Sequence, residues 1–220
     1  MDNEDLIKLS TKISKFVVGF EGNVSKKSQD IITIKASGKK LSDISSNDFI
    51  NYNFNLKQLN NFSLKGSMEL DFHSLFLSYD DINYVCHTHP TNTLKILSSD
   101  KINEFANKRI FPDQVIFNGP KSCVIPYVQP GIKLKEIIKE KIENWVLLYN
   151  ELPKLILLQN HGVITFGRSI DECIIKTEIC EKSAEIFCGS QLLGEIKFLT
   201  ENNIDELIND EKEKYRFKKL

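Results

Sequence analysis

Cys86-His87-Thr88-His89-Pro90 closes the run that begins with Ile82-Asn83-Tyr84-Val85. The β-branched and aromatic residues before it read as a strand, and Pro90, which cannot donate to a sheet ladder, stops it. Residues i and i+2 of a strand project from one face, so His87 and His89 can chelate a single ion. Taken alone, the pair is equally well two ordinary strand histidines. The chain has only four histidines, and a third, His161 in Gln159-Asn160-His161-Gly162, tips that balance. It lies between a buried-looking strand over residues 154–159 and a second apolar run, Val163-Ile164-Thr165-Phe166, and Gly162 is read as a tight bend that aims the ring at a shared point.

Three neutral imidazoles suit zinc or another first-row divalent ion such as Mn2+ or Co2+. They leave a coordination position for a carboxylate, water or substrate oxygen. Glu69 is the candidate fourth group, because a carboxylate that can touch the metal and swing away can serve as a general base beside a polarised carbonyl. On spacing alone, it is also a charge favourable to a helix N-terminus. The apolar spacing of Met68, Phe72, Leu75 and Phe76 predicts that helix, with Ser67 as its N-cap and Glu69 in its first turn. His73 shares the face of Glu69 at i,i+4, and a structural or surface role fits it better than ligation.

The rest of the chain frames this constellation. Leu6, Leu9, Ile13, Phe16 and Val17 recur at helical spacing, so the first twenty residues read as an amphipathic helix. Short strands follow near residues 21–25 and 31–35, then an Asn- and Ser-rich stretch over 42–66 with a short helix near 46–49 and an edge strand. Another helix is read from Thr91 onward. Ser169-Ile170-Asp171-Glu172 is a capping-box pattern opening a late helix. Residues 203–220 read as a polar helix and a basic, aromatic tail, Lys214-Tyr215-Arg216-Phe217, either mobile or docked on a neighbour.

Composition narrows the function classes. Twenty-nine basic against thirty acidic residues leave a net charge of −1, which gives no electrostatic case for nucleic-acid or anionic-membrane binding. No apolar run approaches the roughly 20 residues that span a bilayer, and the acidic start, Met1-Asp2-Asn3-Glu4-Asp5, lacks the pattern of a secretory signal. A cytoplasmic location and a small-molecule partner are expected. Five cysteines without a CxxC pair predict neither a disulfide framework nor a thiolate zinc site. With no repeat and no flexible linker, one domain over residues 1–220 is the simplest organisation.

The ordered series Gly22-Asn23-Val24-Ser25, Ser37-Gly38, Ser67-x-Glu69-x3-His73, His87-Thr88-His89-Pro90 and Asn160-His161-Gly162 resembles the class II aldolase/adducin family over about residues 5–190. That resemblance implies an α/β fold, a three-layer α/β/α domain with a mainly antiparallel central sheet, assembled as a homotetramer with active sites between subunits. It also implies zinc held by His87, His89, His161 and Glu69. A phosphorylated ketose would be cleaved to dihydroxyacetone phosphate and a small aldehyde through a metal-stabilised enediolate, with Glu69 moving the proton. The phosphate would sit on Gly22, Asn23, Ser37, Gly38 and Ser67, where backbone N–H groups and hydroxyls can hold an anion.

Two departures bear on the substrate. Met68 stands where the family's aldolases commonly have a second serine, which removes one hydroxyl from the anion site. The tyrosine they contribute from a neighbouring subunit has no counterpart in Asn107-Lys108-Arg109-Ile110-Phe111. Asp113 falls near an aspartate used by the related ribulose-phosphate 4-epimerases, and Tyr215 is the one C-terminal tyrosine placed to reach a neighbouring site. Both are candidate catalytic residues by resemblance. A lyase leads, with an epimerase or dehydratase on the same chemistry as the alternative; those epimerases carry aspartate at the position of Glu69. A non-catalytic adducin-like interaction module is the third reading, and the intact His87, His89, His161 and Glu69 argue against it.

Overall fold

A computed structural model describes residues 3–219. Seven strands form one sheet in the order β3-β2-β1-β4-β7-β6-β5. The hairpin β1 (Asn23–Ser28) and β2 (Ile31–Lys35) pairs Ser25 with Ile34 and Ser28 with Ile31, and β3 (Phe49–Asn53) extends it at the edge. On the other side, β4 (Tyr84–Thr88) pairs antiparallel with β1, and β7 (Gly162–Gly167) pairs antiparallel with β4. β6 (Ile156–Leu158) runs antiparallel to β7, but β5 (Cys123–Ile125) is parallel to β6.

The sheet is therefore mixed, which corrects the expected mainly antiparallel one. Parallel neighbours cannot be joined by a tight hairpin and need a long crossover. Here the chain between β5 and β6 carries α6 (Ile132–Tyr149), a helix the sequence reading passed over.

Period-two alternation sorts the core onto two faces. Ile32, Ile34, Val85, Ile156, Leu158, Ile164 and Phe166 meet Phe72 and Phe76 of α2 (Leu70–Leu77) and Ile138 and Ile142 of α6. Their alternates Val24, Cys86, Leu157 and Val163 face the opposite layer. There they meet Leu6, Leu9 and Ile13 of α1 (Glu4–Ile13), α3 (Thr91–Leu97), α4 (Ile102–Asn107), and Cys173, Cys180, Ala184 and Phe187 of α7 (Ile170–Leu193). Helices thus cover both faces, as strands buried on each side require. All five cysteines are unpaired, and among the described residues no helix is long and apolar enough to cross a membrane.

Local expectations were met unevenly. The periodicity read through Val17 ends earlier: α1 stops at Ile13, a 3-10 turn covers Ser14–Phe16, and Val17 is extended. Beyond α7, the tail docks on its own chain. α8 (Glu201–Asn209) and α9 (Glu211–Lys218) pack on α5 (Pro112–Asn118) of the same chain. Arg216 Nη2 lies 3.0 Å from Asp113 Oδ1, and the Phe217 ring sits over the Lys154 ammonium at 4.3 Å.

Candidate metal centre

His87 points from β4 towards α2, on the same face as Val85, and packs edge-on against Phe72. Its Nδ1 lies 2.9 Å from the Val163 carbonyl on β7. A carbonyl only accepts, so Nδ1 carries the proton and the Nε2 lone pair faces inward. His89 lies one residue beyond β4, its backbone N–H held by the Phe16 carbonyl at 3.2 Å. His161 arrives from the β6–β7 turn. Its ring centroid lies 4.7 Å from that of His87 and 5.2 Å from that of His89.

The turn works differently from expectation. Asn160, not Gly162, takes the left-handed backbone, at φ +54°, a region asparagine enters more readily than most residues. Gly162 opens β7 as an ordinary strand residue, and its missing side chain serves another purpose. A Cβ there would lie 2.6 Å from His89 Cδ2 and 3.1 Å from His87 Cε1, and would collide with the Thr88 carbonyl. The imidazoles occupy the space that a side chain at 162 would need.

Glu69 reaches the cluster from the start of α2. It occupies the N-cap position itself, so Ser67 is not the cap; the Ser67 hydroxyl instead accepts from the Glu69 N–H at 3.2 Å and from Asn23 Nδ2 at 3.0 Å. Glu69 Oε2 accepts a second bond from Asn23 Nδ2 at 2.7 Å and lies 3.4 Å from His87 Nε2. Oε1 lies 3.2 Å from His161 Nε2 without hydrogen-bond geometry. Burial alone would raise this carboxyl, but the His87 and His161 imidazoles and the Asn23 amide outweigh it and hold it well below the usual carboxylate range. Burial pushes His87 and His89 down to about 4, so both are neutral at pH 7 and available as ligands.

The donor set fits a divalent cation. One ligand atom from each of His87, His89 and His161 falls within 4.8 Å of the others. The Nε2 atoms of His87 and His89 are only 2.8 Å apart. With the His87 proton on Nδ1, its Nε2 lone pair faces His89 Nε2, and imidazole nitrogens converging at this spacing match nitrogen-ligand chemistry. His73 stays outside the cluster, fully buried, with Nδ1 2.7 Å from Ser25 Oγ and its ring stacked on Phe72.

A cleft of about 220 Å³ opens beside His89, His161 and Glu69, and its walls include all five residues expected to hold phosphate: Gly22, Asn23, Ser37, Gly38 and Ser67. Gly22, at φ +68°, is required twice over, since a Cβ would also lie 2.9 Å from the His87 carbonyl. Met68 lines the mouth and is 76% exposed. Asp113 and Tyr215 are not brought to this cleft within the chain: Asp113 pairs with Arg216, and Tyr215 is exposed on α9.

Two charged wall residues escaped sequence reasoning, Lys35 and Glu21. Lys35 is 2% exposed, and its ammonium donates to the Phe20 and Lys39 carbonyls at 3.2 and 2.6 Å. Burial draws it down to about 8, opposed by the Glu69 charge. Its signal was a lysine closing an otherwise buried strand just before Ser37-Gly38; Glu21 carried no signal beyond its place next to Gly22.

The family profile described as "Class II Aldolase and Adducin N-terminal domain" matches residues 7–188. The chain belongs to that family. Among its class II relatives, L-fuculose phosphate aldolase of Methanococcus maripaludis is 30% identical over 192 residues, 84% of this chain and 96% of the relative. 5-Deoxy-D-ribulose 1-phosphate aldolase of Bacillus thuringiensis serovar kurstaki is 25% identical over 211 residues, 94% of this chain and 93% of the relative. Among solved structures, an L-fuculose 1-phosphate aldolase superposes with a TM-score of 0.80 at 20% identity, covering 97% of this chain and 95% of the other. At that identity the likeness is one of fold.

Proposed function

We propose that this class II family member is a metal-dependent aldehyde-lyase that cleaves a phosphorylated ketose to dihydroxyacetone phosphate and a small aldehyde. The observation that carries this reading is the convergence of His87, His89, His161 and Glu69 at one end of a cleft whose other walls are Gly22, Asn23, Ser37, Gly38 and Ser67. The names of the sugar-phosphate aldolases among its relatives support the same substrate class.

Zinc, or manganese or cobalt in its place, would be held by the three histidines with Glu69 as a displaceable fourth group, and would supply Lewis-acid stabilisation of negative charge on the ketose oxygens. The chain's own groups do the rest. Asn23 and Ser67 hold the Glu69 carboxylate at the edge of the cleft. Glu69 would carry a proton to or from the donor carbon, a contribution typically of about 10²–10⁴-fold. Lys35 adds a buried positive charge to the anion end, where Met68 has removed a hydroxyl. The aldehyde end would be completed by a neighbouring copy in a homotetramer. Tyr215, exposed on α9, is better placed for that than Asp113, which Arg216 engages.

The test is to incubate zinc-loaded protein with L-fuculose 1-phosphate and 5-deoxyribulose 1-phosphate and to measure free dihydroxyacetone phosphate. Release supports the lyase. An inverted stereocentre without release would replace it with an epimerase, and a chain that binds no stoichiometric divalent ion would remove both. Glu69→Gln is expected to keep most metal binding and lose hydrogen–deuterium exchange at the donor carbon of dihydroxyacetone phosphate. Undiminished exchange would take Glu69 out of its role.

A further inference from the structure

The segment 16–22 that closes one side of the cleft carries a second carboxylate, Glu21, to which the metal reading assigns no task. Glu21 Oε2 lies 3.5 Å from His89 Nδ1 and accepts a hydrogen bond from the Val18 N–H at 3.0 Å. That bond fixes the carboxylate although the side chain is 44% exposed. The same segment supplies the Phe16 carbonyl that holds the His89 backbone N–H. It turns at Gly19 and Gly22, φ +62° and +68°, and runs close against β4, where a Cβ on Gly22 would lie 2.9 Å from the His87 carbonyl. Backbone and ring of His89 are therefore set by one short piece of chain.

The three histidines are held in different ways. His87 has its outward nitrogen fixed by a strand carbonyl, while the outward nitrogen of His161, Nδ1, is buried without a partner. His89, just beyond the end of β4, has no ladder carbonyl to set its ring, and Glu21 faces its outward nitrogen. A ligating imidazole needs its other N–H held, because that bond fixes both the tautomer and the direction of the lone pair.

We propose that Glu21 is the positioning residue of the metal centre: its carboxylate keeps the His89 proton on Nδ1 and turns the Nε2 lone pair onto the point shared with His87 and His161. This rests on the metal reading above. It also gives the cleft a charge balance suited to its contents. Glu21 and Glu69 against Lys35 leave one net negative charge on the cleft walls, which a divalent ion would reverse in favour of an anionic substrate.

The experiment compares wild type with Glu21→Gln and Glu21→Ala by chelator competition for zinc, and by 15N chemical shifts of the His89 ring in metal-free protein. Loss of the carboxylate in Glu21→Ala is expected to weaken zinc by about 10–100-fold and to mix the His89 tautomers. Glu21→Gln, whose amide oxygen still accepts from Nδ1–H, is expected to recover part of the affinity. If Glu21 only braces its own turn, Glu21→Ala lowers the melting temperature while zinc affinity and the His89 tautomer stay as in wild type, and the proposal is overturned. Wild-type protein that binds no zinc overturns the metal reading instead, and the tautomer measurement still decides whether Glu21 sets the His89 ring.

Discussion

Glycine 162 and lysine 35 show how single residues set the limits of the site. Gly162 is conformationally ordinary, so its need comes from packing: the His87 and His89 rings and the Thr88 carbonyl lie where a Cβ would be. Gly162→Ala is expected to destabilise the metal-free fold by about 1–3 kcal/mol, the usual cost of overpacking, and to weaken zinc binding by on the order of tenfold or more as the rings are displaced. Thermal melts and chelator competition check the two separately. Lys35 makes the opposite case, a charged group buried in the cleft wall. A hydrogen bond to a charged partner is worth about 1.5–3 kcal/mol, so Lys35→Met should raise KM for a phosphorylated ketose by about 10–100-fold while changing kcat less. An unchanged KM would mean that the ammonium serves only the Phe20 and Lys39 carbonyls.

Among the elements, α4 and the turn after α5 depend on one buried cation. The Arg109 guanidinium is 1% exposed and donates to the Phe105, Ala106, Lys108 and Gly119 carbonyls and to Ser122 Oγ. It satisfies the carbonyls at the end of α4 that no further helical turn can reach. Arg109→Ala strands several buried acceptors, each costing about 1–3 kcal/mol, so urea denaturation should show a loss on the order of 3 kcal/mol or more. The stretch where the sequence offered no aldolase tyrosine thus contains a structural arginine. Its role was illegible beforehand because the end of α4, Gly119 and Ser122 meet around it only after folding.

Legibility followed interaction range at this scale. β2, the short turn near Ser46, α3 and the start of α7 were readable because their signals are local: alternation, a proline stop, and a Ser169 cap whose hydroxyl accepts from the Glu172 N–H. The Glu172 carboxylate also accepts from the Arg168 N–H and pairs with Lys176. α6 was missed, and with it the parallel β5–β6 pair, because a crossover is identified by where its ends pair and not by its own pattern.

Across the whole molecule, buried histidines set the response to acid. His73 is pushed down to about 3, and His87 and His89 to about 4, in each case chiefly by burial. The unfolded chain, with ordinary values near 6.5, binds protons that the folded protein refuses. The stability these groups contribute is therefore complete above about pH 6.5 and is lost as pH falls through the folded values. Metal-free protein should lose several kcal/mol between pH 6.5 and 4, above the range where Asp5 and Asp48, held below their usual values, begin to matter. Chemical denaturation at stepped pH checks this, and a flat profile down to pH 4.5 would contradict it. Zinc at about a hundred times its dissociation constant should raise stability near pH 7 by about 2.7 kcal/mol.

By itself the sequence determined the pieces whose physics is local: the strand that carries His87 and the proline stop just past His89, Gly22 and Gly38 at turns, the helix that follows Glu69, and an ordered set of motifs that names the family. Only the tertiary structure decided that these pieces meet. Antiparallel pairing of β4 with β7, Thr88 opposite Val163, sets His161 beside His89, and pairing of β1 with β4, Asn23 opposite His87, brings Asn23 within reach of Glu69. It also chose Glu21 and Lys35 as cleft walls. The reason is that strand periodicity fixes which face a side chain takes, whereas the register between strands distant in sequence is fixed by packing the whole core.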